Sequence, residues 1–172
     1  MCRLHATRTQ AVVYRGSLTP RIVFVGEAPG AEEDRVGRPF VGRSGQKLDG
    51  AVAHLGLTPD EFGVLNLLKC RPPQNRFDLD AARTCRPYLD RQLQFLRPEL
   101  LVTLGSPALH ALVPEADPIL TVAGQPLTGF SRPLFPLIHP AAALRSRRWA
   151  ERWTRDVEAL GRWLAREPAQ PV

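Results

Sequence analysis

Four short apolar runs limit the folds that this sequence can form. Each is rich in Val, Ile, Leu or Phe and stops at a glycine or a polar residue, as buried parallel strands do. Stretches with apolar residues at helical spacing alternate with them. The runs cover 21–26, 64–68, 100–104 and 134–138, and the helical stretches cover about 44–55, 78–96, 106–112 and 147–165. This alternation predicts an α/β fold, a three-layer α/β/α sandwich around a four-stranded, mainly parallel sheet.

Length and local pattern add further expectations. The 172 residues fit a single domain, residues 1–172, and a hydrophobic share of 44% is enough for a sizeable core. Residues 1–20 are expected to be irregular, the acidic run 32–34 to form a solvated face, and Ser44 and Asp78 to cap helices. A 3-4 spaced stripe in the last helix is expected to pack in the core: Trp149, Trp153, Val157, Leu160 and Leu164.

The chain is strongly basic, with a formal net charge of +6. Of its 23 basic residues 21 are Arg, and only Lys47 and Lys69 are Lys. Guanidinium groups suit phosphate, so a polyanionic partner such as a nucleic acid is favoured. An arginine-rich composition imposed by a GC-rich genome is the alternative. No apolar run is long enough to span a membrane, and the N-terminus lacks the apolar core of a signal peptide, so a cytoplasmic protein is expected.

Glycine-rich and polar segments follow three of the predicted strands, at the strand ends where such folds bind ligands. They are GEAPGAEEDRVGRPFVGRSG (26–45), NLLKCRPPQNR (66–76) and HPAAALR (139–145). Each is weakly specific alone. Together and in this order, they strongly resemble the family 4 uracil-DNA glycosylases, the iron–sulfur branch of the uracil-DNA glycosylase superfamily. The resemblance runs from Cys2 to about Leu164. A Rossmann dinucleotide site is disfavoured, because no G-x-G-x-x-G opens a helix after the first strand.

The resemblance implies a hydrolase of base excision repair, which flips uracil out of DNA and hydrolyses its N-glycosidic bond to leave an abasic site. It implies Glu27 and His139 as catalytic residues, and a uracil pocket that also includes Gly26, Ala28, Phe40 and Asn66.

The residue types agree with these roles. Phe40 offers a flat apolar face, and the amide of Asn66 matches the donor and acceptor edge of uracil but not that of cytosine. His139 is expected to donate to uracil O2 and stabilise the departing anion. The structural alternatives are core packing for Phe40, a loop-satisfying amide for Asn66 and a structural histidine at 139.

Water activation is less defined. Better-known members of the superfamily carry an Asp at the position of Ala28, which cannot act as a base, and family 4 likewise lacks that Asp. Leaving-group stabilisation is therefore expected to dominate, with the water held by backbone groups or by Glu27. Glu27 is also a candidate for blocking the C5 position and so rejecting thymine. No lysine is expected near the pocket except Lys69, beside the cysteine loop, so lyase activity is not expected.

The partner implied is uracil-containing DNA, single- or double-stranded, bound by a monomer. The superfamily inserts an apolar wedge into DNA, and its usual position is Ala143 here, with Leu144 as a substitute. A solvated, arginine-rich helix start is the alternative to phosphate binding at this loop. The candidate phosphate contacts are Arg145, Arg147, Arg148, Arg152, Arg71 and Arg76.

Three cysteines are present, Cys2, Cys70 and Cys85. The family holds a [4Fe–4S] cluster with four cysteines, and these three match its last three ligands. The first ligand would lie two residues before Met1 and is missing from this chain. An upstream start, a non-cysteine ligand such as His5, and an absent or labile cluster are the explanations that remain open.

Two other functions remain open. A catalytically weakened or inactive DNA-binding member of the fold would explain Ala28, Ala143 and the missing cysteine. An electron-transfer iron–sulfur protein would explain the cysteines but would leave the glycine-rich loop, Asn66 and His139 without a role.

Overall fold

The computed structural model describes residues 2–128 and 131–166, and in them a central sheet is covered by helices on both faces. The strands are β1 (Arg15–Gly16), β2 (Ile22–Gly26), β3 (Phe62–Asn66), β4 (Leu100–Leu104) and β5 (Leu134–Leu137). The helices are α1 (Ala31–Val36), α2 (Arg43–His54), α3 (Leu79–Leu96), α4 (Ser106–Leu112), α5 (Ile119–Val122), α6 (Pro140–Ala143) and α7 (Arg147–Arg166), with 3-10 turns at Arg3–Ala6 and Pro73–Asn75.

The strand order is β1-β3-β2-β4-β5, with β1 antiparallel to β3 and the other pairs parallel. The predicted α/β sandwich is therefore confirmed, but the sheet has five strands rather than four. The fifth, β1, lies in the segment that was expected to be irregular, and two residues are too few to show a period. Gly16 has φ +116°, and a β-carbon there would lie 2.4 Å from the Phe62 carbonyl oxygen. The close pairing of β1 with β3 therefore requires glycine.

Two apolar clusters fill the space on either side of the sheet. Val23, Val25 and Leu65 face α3 and α4, whereas Ile22 and Phe24 face α2 and α7. Successive side chains of a strand point to opposite faces, so a continuous apolar run serves both clusters. The predicted stripe of α7 is confirmed as core packing: Trp153, Val157 and Leu160 are buried, and Trp149 and Leu164 are partly buried against them.

The helix starts are only partly as predicted. Asp78 caps α3 and accepts a hydrogen bond from the Ala81 N–H at 3.0 Å. The expected cap at Ser44 is wrong, because α2 begins at Arg43 with Gly42 as its N-cap.

The second predicted strand, residues 64–68, corresponds to β3 (Phe62–Asn66) and so begins and ends two residues earlier than predicted. Leu67 and Leu68, predicted as strand, instead donate backbone hydrogen bonds to the Gly26 and Glu27 carbonyls at 2.9 Å each. These bonds fix the loop after β2 to the end of β3.

In the described ranges, no helix is long and apolar enough to cross a membrane. Residues 129 and 130, within the proline- and glycine-rich stretch 114–133, lie outside the described residues.

Candidate active site

A cavity of about 690 Å³ opens at the carboxyl ends of the parallel strands. Its walls come from the loop after β2, the loop before α2, the start of α4, α5, the segment after β5 and the first turn of α7. Several residues predicted for the site line it, and they are Glu27, Ala28, Phe40, His139 and Arg145. The strand ends that carry the three sequence blocks thus converge, as doubly covered parallel sheets require.

His139 is the N-cap of α6, and its ring has one hydrogen-bond partner that fixes its tautomer. Nδ1 accepts from the backbone N–H of Ala141 at 3.1 Å. In a neutral imidazole the proton is then on Nε2. Burial, and secondarily the charge of Arg145, lower the pKa of His139 from 6.5 to about 4. At neutral pH the residue is therefore uncharged and offers one donor, Nε2–H.

Phe40 lies next to His139, with 5.9 Å between ring centroids and 33° between ring planes. Its backbone has φ 55°, an uncommon conformation for an aromatic residue. Gly45 accommodates this conformation, because a β-carbon at Gly45 would lie 1.8 Å from the Phe40 carbonyl oxygen. The aromatic face is thus set by a strained loop that neighbouring residues hold in place.

The carboxylate of Glu33 makes several of the hydrogen bonds that keep this loop in place. The residue is buried, and its carboxylate accepts from the Gly30 N–H at 3.1 Å, the Val41 N–H at 2.9 Å and the Gly42 N–H at 2.8 Å. The next residue, Asp34, is also buried and accepts from the Thr9 N–H at 3.0 Å. The expectation that the acidic run is a solvated face is therefore wrong for two of its three members.

The spacing from Gly30 to Glu33 is the signal that sequence reasoning missed. A glutamate three residues after a helix N-cap commonly accepts from the cap's own N–H. Here the same side chain also satisfies two N–H groups of the Phe40 loop, which have no sheet or helix partner.

Asn66 ends β3 and is 1% exposed, and it does not line the cavity. Its Oδ1 is buried and finds no hydrogen-bond partner within the described part of the chain. A β-carbon on Gly26 would lie 2.4 Å from that oxygen and 2.5 Å from Phe40 Cζ. The Asn66 amide and the Phe40 ring therefore both lie against the α-carbon of Gly26. An unpaired buried acceptor is costly and uncommon in proteins.

Glu27 and Ala28 form the wall at the end of β2. Burial raises the pKa of the Glu27 carboxyl. Ala28 brings no ionisable group to the cavity. Lys69 is buried elsewhere: its ammonium donates to the Asn66 carbonyl oxygen, and burial lowers its pKa to about 8. Lys69 does not line the cavity.

Several cavity residues were not predicted. Asn75 lines the wall, with its backbone in the left-handed region (φ 56°) and its Oδ1 accepting from Arg71 Nε at 2.9 Å. Trp149 lines it as well as packing in the core. The helical stripe predicted the packing role of Trp149, but no feature of a single sequence shows that its other edge faces a cavity.

The predicted wedge position needs correction. Ala143 is 7% exposed and packs in the core cluster of α2 and α7, so it does not present a side chain to a bound strand. Leu144, the C-cap of α6, is 40% exposed. The two residues differ in exposure because α6 ends between them, and its last residue faces inward.

The four predicted phosphate contacts that follow α6 fall into three groups. Arg145 lines the cavity, and Arg148 lies 5.9 Å from the centre of the Trp149 ring. Arg147 pairs with Glu151 at 2.8 Å on the exposed face of α7. Arg152 is 27% exposed and binds Asp156 at 2.7 Å and the Ala123 carbonyl at 2.9 Å, so its guanidinium is engaged within the protein, and its expected role as a phosphate contact stays a prediction.

The second loop carries the other two candidates. Arg71 Nε donates to Asn75 Oδ1, whereas Arg76 lies in a separate pocket with Arg3 and Phe77.

The three cysteines converge on one side of the sheet. Cys70 and Cys85 are buried in the α3 cluster, and Cys2 packs against it. The Cys70 sulfur accepts from Arg8 Nη1 at 3.1 Å, and burial raises the pKa of Cys85. Among residues 2–128 and 131–166, no three His, Cys, Asp or Glu side chains are arranged to share a metal ion. His5, the suggested alternative ligand, is exposed, and its Nδ1 lies 2.8 Å from the Cys2 carbonyl.

Sequence comparison with known proteins identifies the family of this chain. The sequence model of the uracil DNA glycosylase superfamily matches residues 13–159. The type-4 uracil-DNA glycosylase of Thermotoga maritima is 40% identical over 149 residues, which are 85% of this chain and 78% of the relative.

Two further relatives give the same result. The type-4 uracil-DNA glycosylase of Sulfurisphaera tokodaii is 40% identical over 83% of this chain and 70% of its own length. That of Archaeoglobus fulgidus is 37% identical over 93% of this chain and 85% of its own length. The chain therefore belongs to the uracil DNA glycosylase superfamily and, within it, to the type-4 uracil-DNA glycosylases.

Proposed function

We propose that the protein is a uracil-DNA glycosylase of base excision repair, which flips uracil out of DNA and hydrolyses its N-glycosidic bond to leave an abasic site. The relatives and the cavity at the strand ends both support this function. The observation that carries it is the state of His139, a neutral imidazole with its free N–H beside the Phe40 ring.

Recognition of the flipped base is assigned to Phe40 and Asn66. The phenyl ring stacks on the pyrimidine, and the amide pairs with the edge that carries an acceptor and an N–H. The unpaired Oδ1 of Asn66 supports this role, because a buried acceptor without a partner gains a hydrogen bond when N3–H of uracil arrives. Cytosine has no N–H at that position and leaves the acceptor unpaired, so it is rejected.

His139 acts on the leaving group. Breaking the N-glycosidic bond places negative charge on uracil, and Nε2–H donates to O2 as that charge develops. One donor of this kind contributes roughly 3–4 kcal/mol to transition-state stabilisation. Because Nδ1 accepts from the Ala141 N–H, the proton of the neutral ring is on Nε2, the nitrogen that is free to donate.

Glu27 orients the attacking water. Its carboxyl lines the cavity, and its raised pKa is typical of a group with a stronger hold on a proton than an ordinary glutamate. Ala28 next to it supplies no base, so rate enhancement depends chiefly on the leaving group. Steric rejection of thymine at C5 is a second role that we assign to Glu27.

We assign DNA binding to Leu144, which inserts into the DNA, and to Arg145 and Arg148, which contact its phosphates. Leu144 is exposed next to the cavity, and Arg145 lines its wall. Neither arginine has an ion-pair partner among the described residues. Loss of either is expected to weaken binding for all sequences and to reduce the salt slope by about one unit.

The resemblance also suggests a [4Fe–4S] cluster on Cys2, Cys70 and Cys85. Soft thiols fit such a cluster, but the described residues supply three thiols where four are the norm, so they do not complete the site. When bound, the cluster would tie three segments together, and no step proposed above depends on it. Iron and acid-labile sulfide analysis of protein purified without oxygen, with Cys85→Ser as the comparison, tests its presence.

One assay tests the function. A labelled oligonucleotide with one uracil is incubated with the protein and then treated with alkali. A break at the uracil supports the proposal, and no break with a cytosine or thymine control establishes base specificity. The second candidate, a weakened DNA-binding member, is favoured by Ala28 and predicts binding without a break. Action on single- or double-stranded DNA, a monomeric state and a cytoplasmic location stay predictions.

A further inference from the structure

We infer that the cavity contains a second base-binding site, which takes the nucleobase adjacent to the target uridine in single-stranded DNA. The site, called the outer shelf here, consists of Ile119, Leu120 and Trp149. The inference rests on the proposed glycosylase function and adds to it a preferred form of the substrate.

The first ground is the size of the cavity. At about 690 Å³ it lies in the range of roughly 300–1,000 Å³ that holds drug-sized ligands, whereas one pyrimidine is much smaller. Buried Phe40 and half-buried His139 form one part of the wall, and the outer shelf forms a more open part, where Leu120 is 52% exposed. The outer shelf includes none of the residues assigned to uracil.

The second ground is the chemistry of the outer shelf. Trp149 is a half-buried indole, and every base has a flat face that can stack on it. Leu120 and Ile119 add apolar surface to the wall of the same cavity. Isolated exposed apolar residues are ordinary, but here they are continuous with a substrate cavity.

The third ground is charge complementarity. Arg43 and Arg145 line the same cavity, and Arg148 lies 5.9 Å from the Trp149 ring. None of these three pairs with a carboxylate within the described ranges. A dinucleotide places one phosphate between its two sugars, and exposed guanidinium groups on the cavity wall and next to Trp149 suit that phosphate.

The outer shelf is also rigidly built. Arg152 donates to the Ala123 carbonyl at 2.9 Å and binds Asp156 at 2.7 Å, which connects the end of α5 to α7. The residue expected to contact DNA directly thus holds two walls of the cavity together. A preformed surface loses little entropy when a base stacks on it.

The expected preference for single-stranded DNA follows from base pairing. In a duplex the neighbouring base remains stacked and paired, and moving it costs a few kcal/mol. In a single strand it is free to stack on Trp149. The outer shelf should therefore act on single-stranded substrates and have little effect on duplexes.

The test uses oligonucleotides in which the nucleotide on the 5′ or the 3′ side of uracil is normal or lacks its base. For wild-type protein, removing the base on one side should lower kcat/KM on single strands by at least about fivefold. The side that responds gives the polarity of binding.

The protein variants are Trp149→Ala, Trp149→Phe and a matched control, Trp163→Ala. Trp163 is a second half-buried tryptophan of α7, which packs against Phe135 with 6.0 Å between ring centroids and does not line the cavity. Trp149→Ala should show the same loss on the normal single strand and no further loss when the base is removed. Trp149→Phe should retain most of the response, and Trp163→Ala should retain it fully despite lower stability.

Two results would overturn the inference: a Trp149→Ala protein that responds to the missing base as wild type does, or an equal loss on duplexes and single strands. Absence of uracil release from every substrate by wild-type protein would instead refute the glycosylase function itself.

Discussion

The His139 imidazole lies beside the Phe40 ring, with 5.9 Å between centroids, while its Nδ1 is held by the Ala141 N–H. The first contact places the two rings together on the cavity wall, and the second determines which nitrogen keeps the proton. The donor proposed for the leaving uracil is therefore prepared in the free protein, with no reorganisation required when DNA binds.

The first prediction concerns the pH dependence of His139. Its pKa of about 4 lies below the ordinary 6.5, so the unfolded chain binds more protons between these values. The free energy of unfolding should therefore fall as the pH drops from 6.5 towards 4, and this contribution should be absent in His139→Gln. Nitrogen chemical shifts of labelled histidine should report a neutral ring with the proton on Nε2. Titration near pH 6.5, or a proton on Nδ1, would contradict the prediction.

The second prediction concerns Glu27. Burial raises its pKa, so the carboxylate that orients water is lost at a higher pH than for an ordinary glutamate. The ratio kcat/KM should fall as the pH drops through this raised value. Glu27→Gln should remove that limb of the profile and lower the plateau by about 10²-fold. A single-turnover pH series measures both, and an unchanged limb in the variant would exclude Glu27 as its source.

The third prediction separates activity from stability at Asn66. Asn66→Ala should lower kcat/KM by roughly 10²-fold, since the amide pairs with uracil. The variant also removes a buried, unpaired acceptor, which offsets part of the lost packing. Its stability loss should be smaller than that of the adjacent Leu65→Ala, for which about 2–5 kcal/mol is expected. Urea unfolding of both variants tests the comparison, and equal losses would mean that Oδ1 carries no penalty.

The fourth prediction concerns the carboxylate that holds the Phe40 loop. Glu33→Gln replaces an acceptor of three backbone N–H groups by an amide with one acceptor oxygen. It should cost about 1–3 kcal/mol of stability and raise KM for the uracil strand. The neighbouring Glu32 pairs with Arg35 on the exposed surface, so Glu32→Gln should change stability by less than about 0.5 kcal/mol. Similar losses for both variants would argue against a specific role for Glu33.

The sequence predicts most of the sheet because the signals for its strands and flanking helices are local in the sequence. The apolar runs of β2, β4 and β5 mark buried strands wherever they occur, and Asp78 marks a helix start by its own hydrogen bond. The edge strand β1 has two residues and is recognised only through its pairing with β3.

The site is less predictable because it depends on how loops and short helices are arranged in space, which residue patterns do not show. The burial of Glu33 requires the Val41 and Gly42 N–H groups to face it. The choice between Ala143 and Leu144 depends on the residue at which a four-residue helix ends. The tautomer of His139 depends on a hydrogen bond to a backbone N–H two residues later.

Helix α2 has two glycines with opposite prospects for engineering heat resistance. A β-carbon at Gly50 would meet nothing within 4 Å, so Gly50→Ala should raise the melting temperature through a gain of about 0.5–1 kcal/mol. At Gly45 the same change would force the Phe40 backbone aside. Replacing both glycines would therefore combine a stabilising change with one that displaces the Phe40 loop, so a search for heat-resistant variants of this enzyme should substitute Gly50 and spare Gly45.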